Sequence, residues 1–402
     1  MLVRRDSLLL TALLGTLGAA PAWAQAQDTL TLIASQSLST DSNLFRLPAH
    51  ANTMALIGKS SAAEQIESTS LTLKFSKAYS LQRFELAVNL IDYRYQNFNY
   101  LSFTAHNYNA AWRWSFTPRL HGNLNADRSE TLNSFSDFQG FNLRNQRTNT
   151  SSRFNAIYEL GGPWEVFGGV SRTTQTNLQP LLAESDYAAN SAEAGLRFAQ
   201  ASGSSLAYTL KNASGQNINR AYSPAGLYDD GFKQVDHALK FLWAISGNST
   251  ADLTTAYINR THAHFSQRDY SGLNSAVNLN WNISGKSALS AGWARDLSSY
   301  QTASTNYSQT DRLFIGPVWQ LSPKMVARAR YEVARREYLG SPSGLVAPQR
   351  SDTTTDASVS LDWQPNQYLT FSATLQNAKR ASTLPGLDYD SHMATLSAQF
   401  TY

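Results

Sequence analysis

The stretch Leu273-Asn274-Ser275-Ala276-Val277-Asn278-Leu279-Asn280-Trp281-Asn282 decides the fold. Leu273, Val277, Leu279 and Trp281 fall on one side of a period of two, and Asn274, Asn278, Asn280 and Asn282 fall on the other. Period two is the signature of a strand whose alternate side chains face opposite ways. A dry protein core accepts no asparagine-rich face without partners for every amide. One face must therefore meet an apolar surrounding and the other must meet water, which is the condition of a strand in the wall of a transmembrane barrel.

The same alternation recurs along the chain. Leu71, Leu73 and Phe75 interleave with Thr72, Lys74 and Ser76, and Tyr108, Ala110, Trp112, Trp114 and Phe116 interleave with Asn109, Ala111, Arg113 and Ser115. Such segments number about eighteen, with sixteen as the alternative, each of roughly 10 to 14 residues, close to the length of a tilted membrane-crossing strand. The first is expected near 29–38, the second near 69–79, the fourth near 107–117 and the last near 391–402, giving an all-β, up-and-down antiparallel barrel.

The connections test this independently, because bacterial barrels alternate short periplasmic turns with longer external loops. Short breaks fall at Ser80, Pro118, Gly161-Gly162-Pro163, Gln200-Ala201-Ser202, 245–248, 283–285, Ser322-Pro323-Lys324 and Pro365-Asn366. Longer ones fall between them at 131–146, 215–232, 338–351 and 381–390. With both termini periplasmic, every short turn lies on the periplasmic side. Strands descending toward that side end in aromatics: Tyr79, Trp114 and Phe116, Tyr158, Phe198, Trp243, Trp281, Trp319, Trp363, then Phe400 and Tyr402. Aromatic rings at this level sit among lipid headgroups.

Composition agrees. Charged residues are 15% and hydrophobic residues 42% of the 402, low for a water-facing surface and insufficient for helical spans. Arg4 and Arg5, an apolar run from Leu8 to Ala20, and Ala22-Trp23-Ala24 read as a signal peptide over 1–24, with the barrel occupying 25–402. The whole chain has 33 Lys+Arg against 29 Asp+Glu; removing Arg4, Arg5 and Asp6 leaves 31 against 28, a net +3 that argues against a nucleic-acid partner. There is no cysteine, hence neither a disulfide framework nor a thiolate or zinc–cysteine site. No phosphate loop or dinucleotide fingerprint occurs, so no cofactor is implied.

Inward faces are expected to carry Arg153, Glu159, Glu193, Arg197, Asp236, Lys240, Arg328, Arg330, Glu332 and Asp362. In hydrocarbon each would be costly. Opposed charges could pair across the lumen and brace a closed scaffold, or line a wet channel; a barrel this wide leaves an aqueous passage unless loops fill it. His237 falls on the lipid side, and Pro317 falls mid-strand, where a proline drops a ladder bond and marks a bulge or protected edge. His262 and His264, with Ser266 nearby, suggest rim hydrolase chemistry; exposed rim histidines are the simpler explanation, and no acidic pair nearby in sequence completes a metal site.

Asp41-Ser42-Asn43-Leu44-Phe45-Arg46-Leu47 resembles the D-x-N-L-F-R-L stretch of the EpsL family, outer-membrane proteins of exosortase-associated exopolysaccharide operons. Trp319 to Lys324, Tyr331 and Arg335-Arg336-Glu337-Tyr338 are similar to that family's later hairpins. The last strand ends on an aromatic, as the last strands of bacterial barrels do, with Tyr402 in place of the usual Phe. The resemblance implies a part in exporting or assembling an extracellular polysaccharide, with periplasmic export components as partners beside outer-membrane lipid. It supplies no catalytic residue. From the residues alone, Asp41 and Asn43 are turn formers that end the first strand. Leu44, Phe45 and Leu47 would pin the connection 40–67 to the rim or fold it into the lumen. A general porin for small solutes and a barrel hydrolase acting on envelope lipid are the alternatives.

Overall fold

The computed structural model describes residues 30–139, 141–180, 185–302, 305–341 and 349–402. The expected signal peptide, 1–24, lies outside these described residues. Eighteen strands run in chain order: β1 (Leu30–Asp41), β2 (Glu64–Tyr79), β3 (Gln82–Tyr95), β4 (Phe103–Thr117), β5 (Leu120–Leu132), β6 (Gln146–Gly161), β7 (Trp164–Asn177), β8 (Tyr187–Ala199) and β9 (Ser205–Asn217). The second half comprises β10 (Gly231–Ser246), β11 (Ser249–Thr261), β12 (Tyr270–Asn282), β13 (Ser287–Ser299), β14 (Tyr307–Ser322), β15 (Met325–Leu339), β16 (Ser351–Trp363), β17 (Leu369–Ser382) and β18 (Tyr389–Thr401). Every strand pairs antiparallel with its sequence neighbour, and β1 pairs with both β2 and β18. The sheet has no free edge, so the wall's backbone groups bond within the ladder where hydrocarbon could not satisfy them.

The register confirms the two faces. Leu253, Val277 and Trp293 lie directly opposite one another across β11 to β13, and so do Asp252, Asn278 and Gly292. The first row faces lipid and the second the lumen. Two strands begin earlier than the alternation suggests: β2 at Glu64 and β4 at Phe103. Gln65 and Glu67 occupy outward positions at the start of β2, so the ladder continues where the outward face has left the apolar layer and hydrophobic alternation ceases. The connection expected over 40–67 shrinks accordingly to 42–63, which includes a short helix (Thr53–Ile57).

Turns at the opposite end are tight. Tyr79 pairs with Gln82 around Ser80, at φ +53°, and Gly161 pairs with Trp164 around Gly162, at φ +62°. The aromatic girdle stands there on the outer wall: Tyr79, Phe116, Trp243, Trp319 and Trp363 are all exposed. Trp114 is the exception. It is 4% exposed because it lies flat over Gly122 and stacks on Phe154 at 5.7 Å, filling the wall instead of joining the girdle.

Two positions that looked awkward on the lipid side are accommodated differently. His237 faces outward, as expected, and its Nδ1 lies 2.8 Å from the hydroxyl of Tyr208 on β9, which satisfies the ring inside the wall. Pro317 marks no bulge. The β14–β15 register stops at Ile315–Tyr331 and resumes unshifted at Val318–Arg328, so the missing N–H leaves a gap in the ladder with the alignment intact. An outward groove of about 1070 Å3 passes over this gap, lined by Ile315, Pro317, Tyr331, Val359, Leu375 and Ala394 among others. Among the described residues no helix is long and apolar enough to cross a membrane, and the strands do the crossing.

Candidate functional site

All ten charged positions expected on the inward face occupy inward register positions. Arg153 on β6 reaches over β7 to the Glu193 carboxylate on β8. Arg197 bonds Glu165, its directly opposite neighbour, at 3.0 Å. Arg328 pairs with Asp362 on the next strand, and Arg330 with Glu332 on its own strand at 2.7 Å. Asp236 accepts from the Gln234 amide at 2.7 Å and lies opposite Lys211. Glu159 stands 4.0 Å from His121, and Lys240 lies between Ala207 and Thr254.

These bonds run along the wall, between residues on the same, adjacent or next-but-one strands. They do not cross the bore. The partly exposed pairs are worth about 0–1 kcal/mol each, too little to clamp a barrel. Their effect is to fix long side chains against the wall. Three inward phenylalanines carry guanidinium groups on their faces: Phe232 under Arg260 at 3.9 Å, Phe314 under Arg330 at 4.1 Å, and Phe167 under Arg197 at 5.6 Å. Stacking holds each planar cation, and each donates one N–H within the wall, Arg260 to Gln234, Arg330 to Glu332 and Arg197 to Glu165, with further N–H groups left for another acceptor. Glu165, Arg260 and Arg312, the last 2.9 Å from Asp296, were not singled out from sequence, although their parity on recognised strands would have placed them inward.

At the loop end the segment 42–63 folds into the mouth. Leu44, Phe45, Leu47 and Ile57 pack with Phe98, Leu101, Phe103 and Phe135 in a buried cluster, and Phe45 meets Phe98 edge-on at 4.7 Å. Phe103 and Ala105 share the inward face of β4 with Asn107, so the cluster narrows the bore, and the loop after β5 carries the constriction across the mouth, where Asp137 meets Arg336 of β15 at 3.3 Å and the Ser136 carbonyl accepts from Arg380 of β17 at 2.6 Å. Its polar residues close the barrel. Asp41, 2% exposed, accepts from Arg46 at 2.8 Å, from the Asn43 backbone at 2.9 Å and from Ser391 of β18 at 2.7 Å. The Asn43 side chain bonds both the N–H and the carbonyl of Leu47 and reaches the Asp390 carbonyl at 3.0 Å. Arg46 adopts φ +55°, a left-handed turn held by these contacts.

Three further loops are joined by Arg268. Its side chain is fully buried and donates to the carbonyls of Leu227, Gly226, Thr302 and Thr305 and to Asn306 Oδ1, with the Tyr228 ring 4.8 Å away. Nearby, His262 is buried rather than exposed; its Nδ1 lies 3.2 Å from Asp269 and its Nε2 3.1 Å from the Gln301 amide. His264 pairs with Asp229 at 3.1 Å and leaves its side chain half exposed. The two rings serve different carboxylates, and among the described residues neither bonds Ser266, so the arrangement holds no serine–histidine dyad. Asp230 does join Asp229 and His264, their ligand atoms within 4.8 Å, an acidic pair the sequence spacing did not reveal. His264 and Asp229 already satisfy one another there. Burial pushes the Asp229 carboxyl up, but hydrogen bonds from His264 and Asp230 outweigh it and hold it at about 2. Burial lowers the His262 ring below its ordinary 6.5.

A closed eighteen-stranded wall, lipid outside, charge inside and a girdle at the tight-turn end define an integral β-barrel of the bacterial outer membrane. Residues 245–402 match the family model described as "Putative beta-barrel porin 2". The fold is shared with OpdK of Pseudomonas aeruginosa, solved with vanillate, at TM-score 0.51 and 10% identity over 93% of this chain and 99% of that one. It is shared with OccK2 (OpdF) of the same organism, solved with glucuronate, at 0.52 and 10% over 93% and 96%. A BenF-like porin of Pseudomonas fluorescens Pf-5 aligns at 0.53 and 10% over 94% and 99%. No curated protein sequence matches the chain.

Proposed function

We propose that the barrel is a diffusion channel for small polar solutes, with a preference for those bearing a carboxylate. The observation that carries this reading is the direction of the ion pairs on the strands below the mouth, which run along the wall and not across it; at the mouth itself the Asp137–Arg336 pair spans the barrel and narrows the entrance. Arg197, Arg260 and Arg330, held flat on Phe167, Phe232 and Phe314, offer fixed donors that suit a planar anion. The porin family model over 245–402 supports a channel, and barrels that share this fold have been solved with vanillate and with glucuronate.

Passage or assembly of an extracellular polysaccharide is the second reading, supported by the resemblance of Asp41 to Leu47 and the later hairpins. Several residues of that stretch are engaged in closing the barrel and packing its mouth, so the motif alone selects no cargo. Planar-bilayer recording of the purified chain separates the two. Steady conductance, with an ion current that millimolar glucuronate reduces and neutral sugar does not, supports the channel for small acids. A barrel silent to small ions in the bilayer, in a cell whose polymer is retained in the periplasm on gene deletion, supports the polysaccharide reading.

A further inference from the structure

The outer wall near the loop end carries cations, and most have a carboxylate beside them on the same face. Arg94 lies 2.6 Å from Asp92, Arg128 2.5 Å from Glu130, Arg295 2.7 Å from Asp311 and Arg335 2.8 Å from Glu337. Strands β7 to β10 differ. Arg172 lies opposite Asn190, Asn190 opposite Ser214, and Ser214 opposite Lys233, an unbroken row along the hydrogen-bond direction. All four share the outward parity of Val170, Leu210 and Leu239, all four are exposed, and no outward position of these four strands holds Asp or Glu.

The row's height fits a membrane boundary. Arg172 is eight residues beyond Trp164 of the girdle, and Lys233 is ten from Trp243. At about 3.3 Å per residue and a tilt near 40°, that is roughly 20–25 Å, the height of the apolar band of an outer-membrane barrel. A lipid-facing cation costs least at such a boundary. Below the row the wall presents Val170, Ala192 and Val235, then Gly168, Ala194 and Leu210; these small and apolar side chains leave room for acyl chains, with Asn212 and His237, the latter bonded to the Tyr208 hydroxyl, the polar exceptions. Across three inter-strand steps Arg172 and Lys233 are separated by about 14 Å, so one wide headgroup can meet both.

We infer that Arg172, Asn190, Ser214 and Lys233 form a binding site for the phosphorylated headgroup of an outer-leaflet glycolipid. The two cations neutralise phosphate, Asn190 and Ser214 donate hydrogen bonds between them, and the apolar rows beneath take the chains. The site lies on the outside of the barrel and does not depend on what the bore conducts.

Native mass spectrometry of the detergent-purified chain tests this with three probes: diphosphorylated lipid A, its dephosphorylated form, and inorganic phosphate. Retention of the diphosphorylated lipid by the unaltered chain, weakened about tenfold or more in Arg172→Gln/Lys233→Gln, is expected. Lys77→Gln, a cation on the same outer side at the opposite end of the wall, should leave retention unchanged. If the double variant fails to show heat-modifiable migration, Ser214→Glu supplies an independent arm with the same expected loss. Equal retention of the dephosphorylated lipid, unchanged retention in the variants, or displacement by millimolar phosphate overturns the proposal. So does efficient dimer cross-linking through Asn190→Cys, which would mark the face as a contact between copies.

Discussion

The hydroxyl of Ser391 donates to the carboxylate of Asp41 at 2.7 Å, joining the last strand of the barrel to the first across 350 residues of sequence. The Asp41 side chain is 1% exposed and also receives Arg46, so this seam contains a buried ion pair at the point of closure. Removing one member of such a pair strands the other, a cost of about 3 kcal/mol or more. Asp41→Ala should therefore lower the temperature at which the barrel loses its heat-modifiable migration in gels. Unchanged heat resistance would remove the seam from the account of stability.

Arg268 should be replaceable only at the expense of three loops together. Arg268→Met keeps much of the volume and leaves the carbonyls of Leu227, Gly226, Thr302 and Thr305 without their donor, each at about 1–3 kcal/mol. Hydrogen exchange should quicken in 218–230, 262–269, 300–302 and 305–306 while β11 and β12 stay protected. Acceleration confined to one loop would show that the arginine does not couple them.

Acid should loosen the same region. The His262 ring is held below 6.5 in the folded loop, so the unfolded loop binds the proton more readily. Its contribution is complete above pH 6.5 and declines as pH falls from there through the folded value. Asp229, at about 2 in the fold against 3.8 outside it, adds a second loss only as pH drops from 3.8 toward 2. Exchange at 262–269 that, once divided by the intrinsic amide rate at each pH, rises from pH 7 to pH 5 in the native chain and stays flat in His262→Gln is the expected pattern.

The wall admits little at Gly122. An added Cβ there would sit 2.0 Å from the Asn155 carbonyl oxygen and 2.5 Å from Trp114 Cζ2. Gly122→Val should expel the indole from its place against Phe154, cost about 1–3 kcal/mol by overpacking, and shift the near-ultraviolet circular dichroism. An unaltered aromatic spectrum would contradict the packing described.

Inverting two lumen cations should redirect ion preference. Arg328→Glu/Arg330→Glu replaces two lumen cations beside Asp362 and Glu332, and the bilayer reversal potential should move toward cation selectivity. No movement would place these side chains off the conduction path.

The strands were legible because lipid and water impose opposite demands on alternate residues, as Leu279 and Asn280 illustrate. Legibility faded where one demand lapsed. At Gln65 and Glu67 the ladder continues beyond the apolar layer, and no hydrophobic period reports it. The inward parity of Arg153 and Glu193 could be read, but their meeting over β7 could not, since it depends on the relative register of three strands. Loop residues had no period to read. Arg268 gives no sign in sequence that it will serve five acceptors, and the approach of Asp229 and Asp230 to His264 depends on two loops converging.

The missing rungs beside Pro317 have a mechanical consequence. A cylinder of uniform hydrogen bonding has no preferred place to tear, whereas this one has a notch between Gly316–Pro317 and Ala329–Arg330. Pulled from a bilayer by a probe at its C-terminal end, the chain should part hairpin by hairpin, with the rupture between β14 and β15 split into two steps, one on each side of the notch.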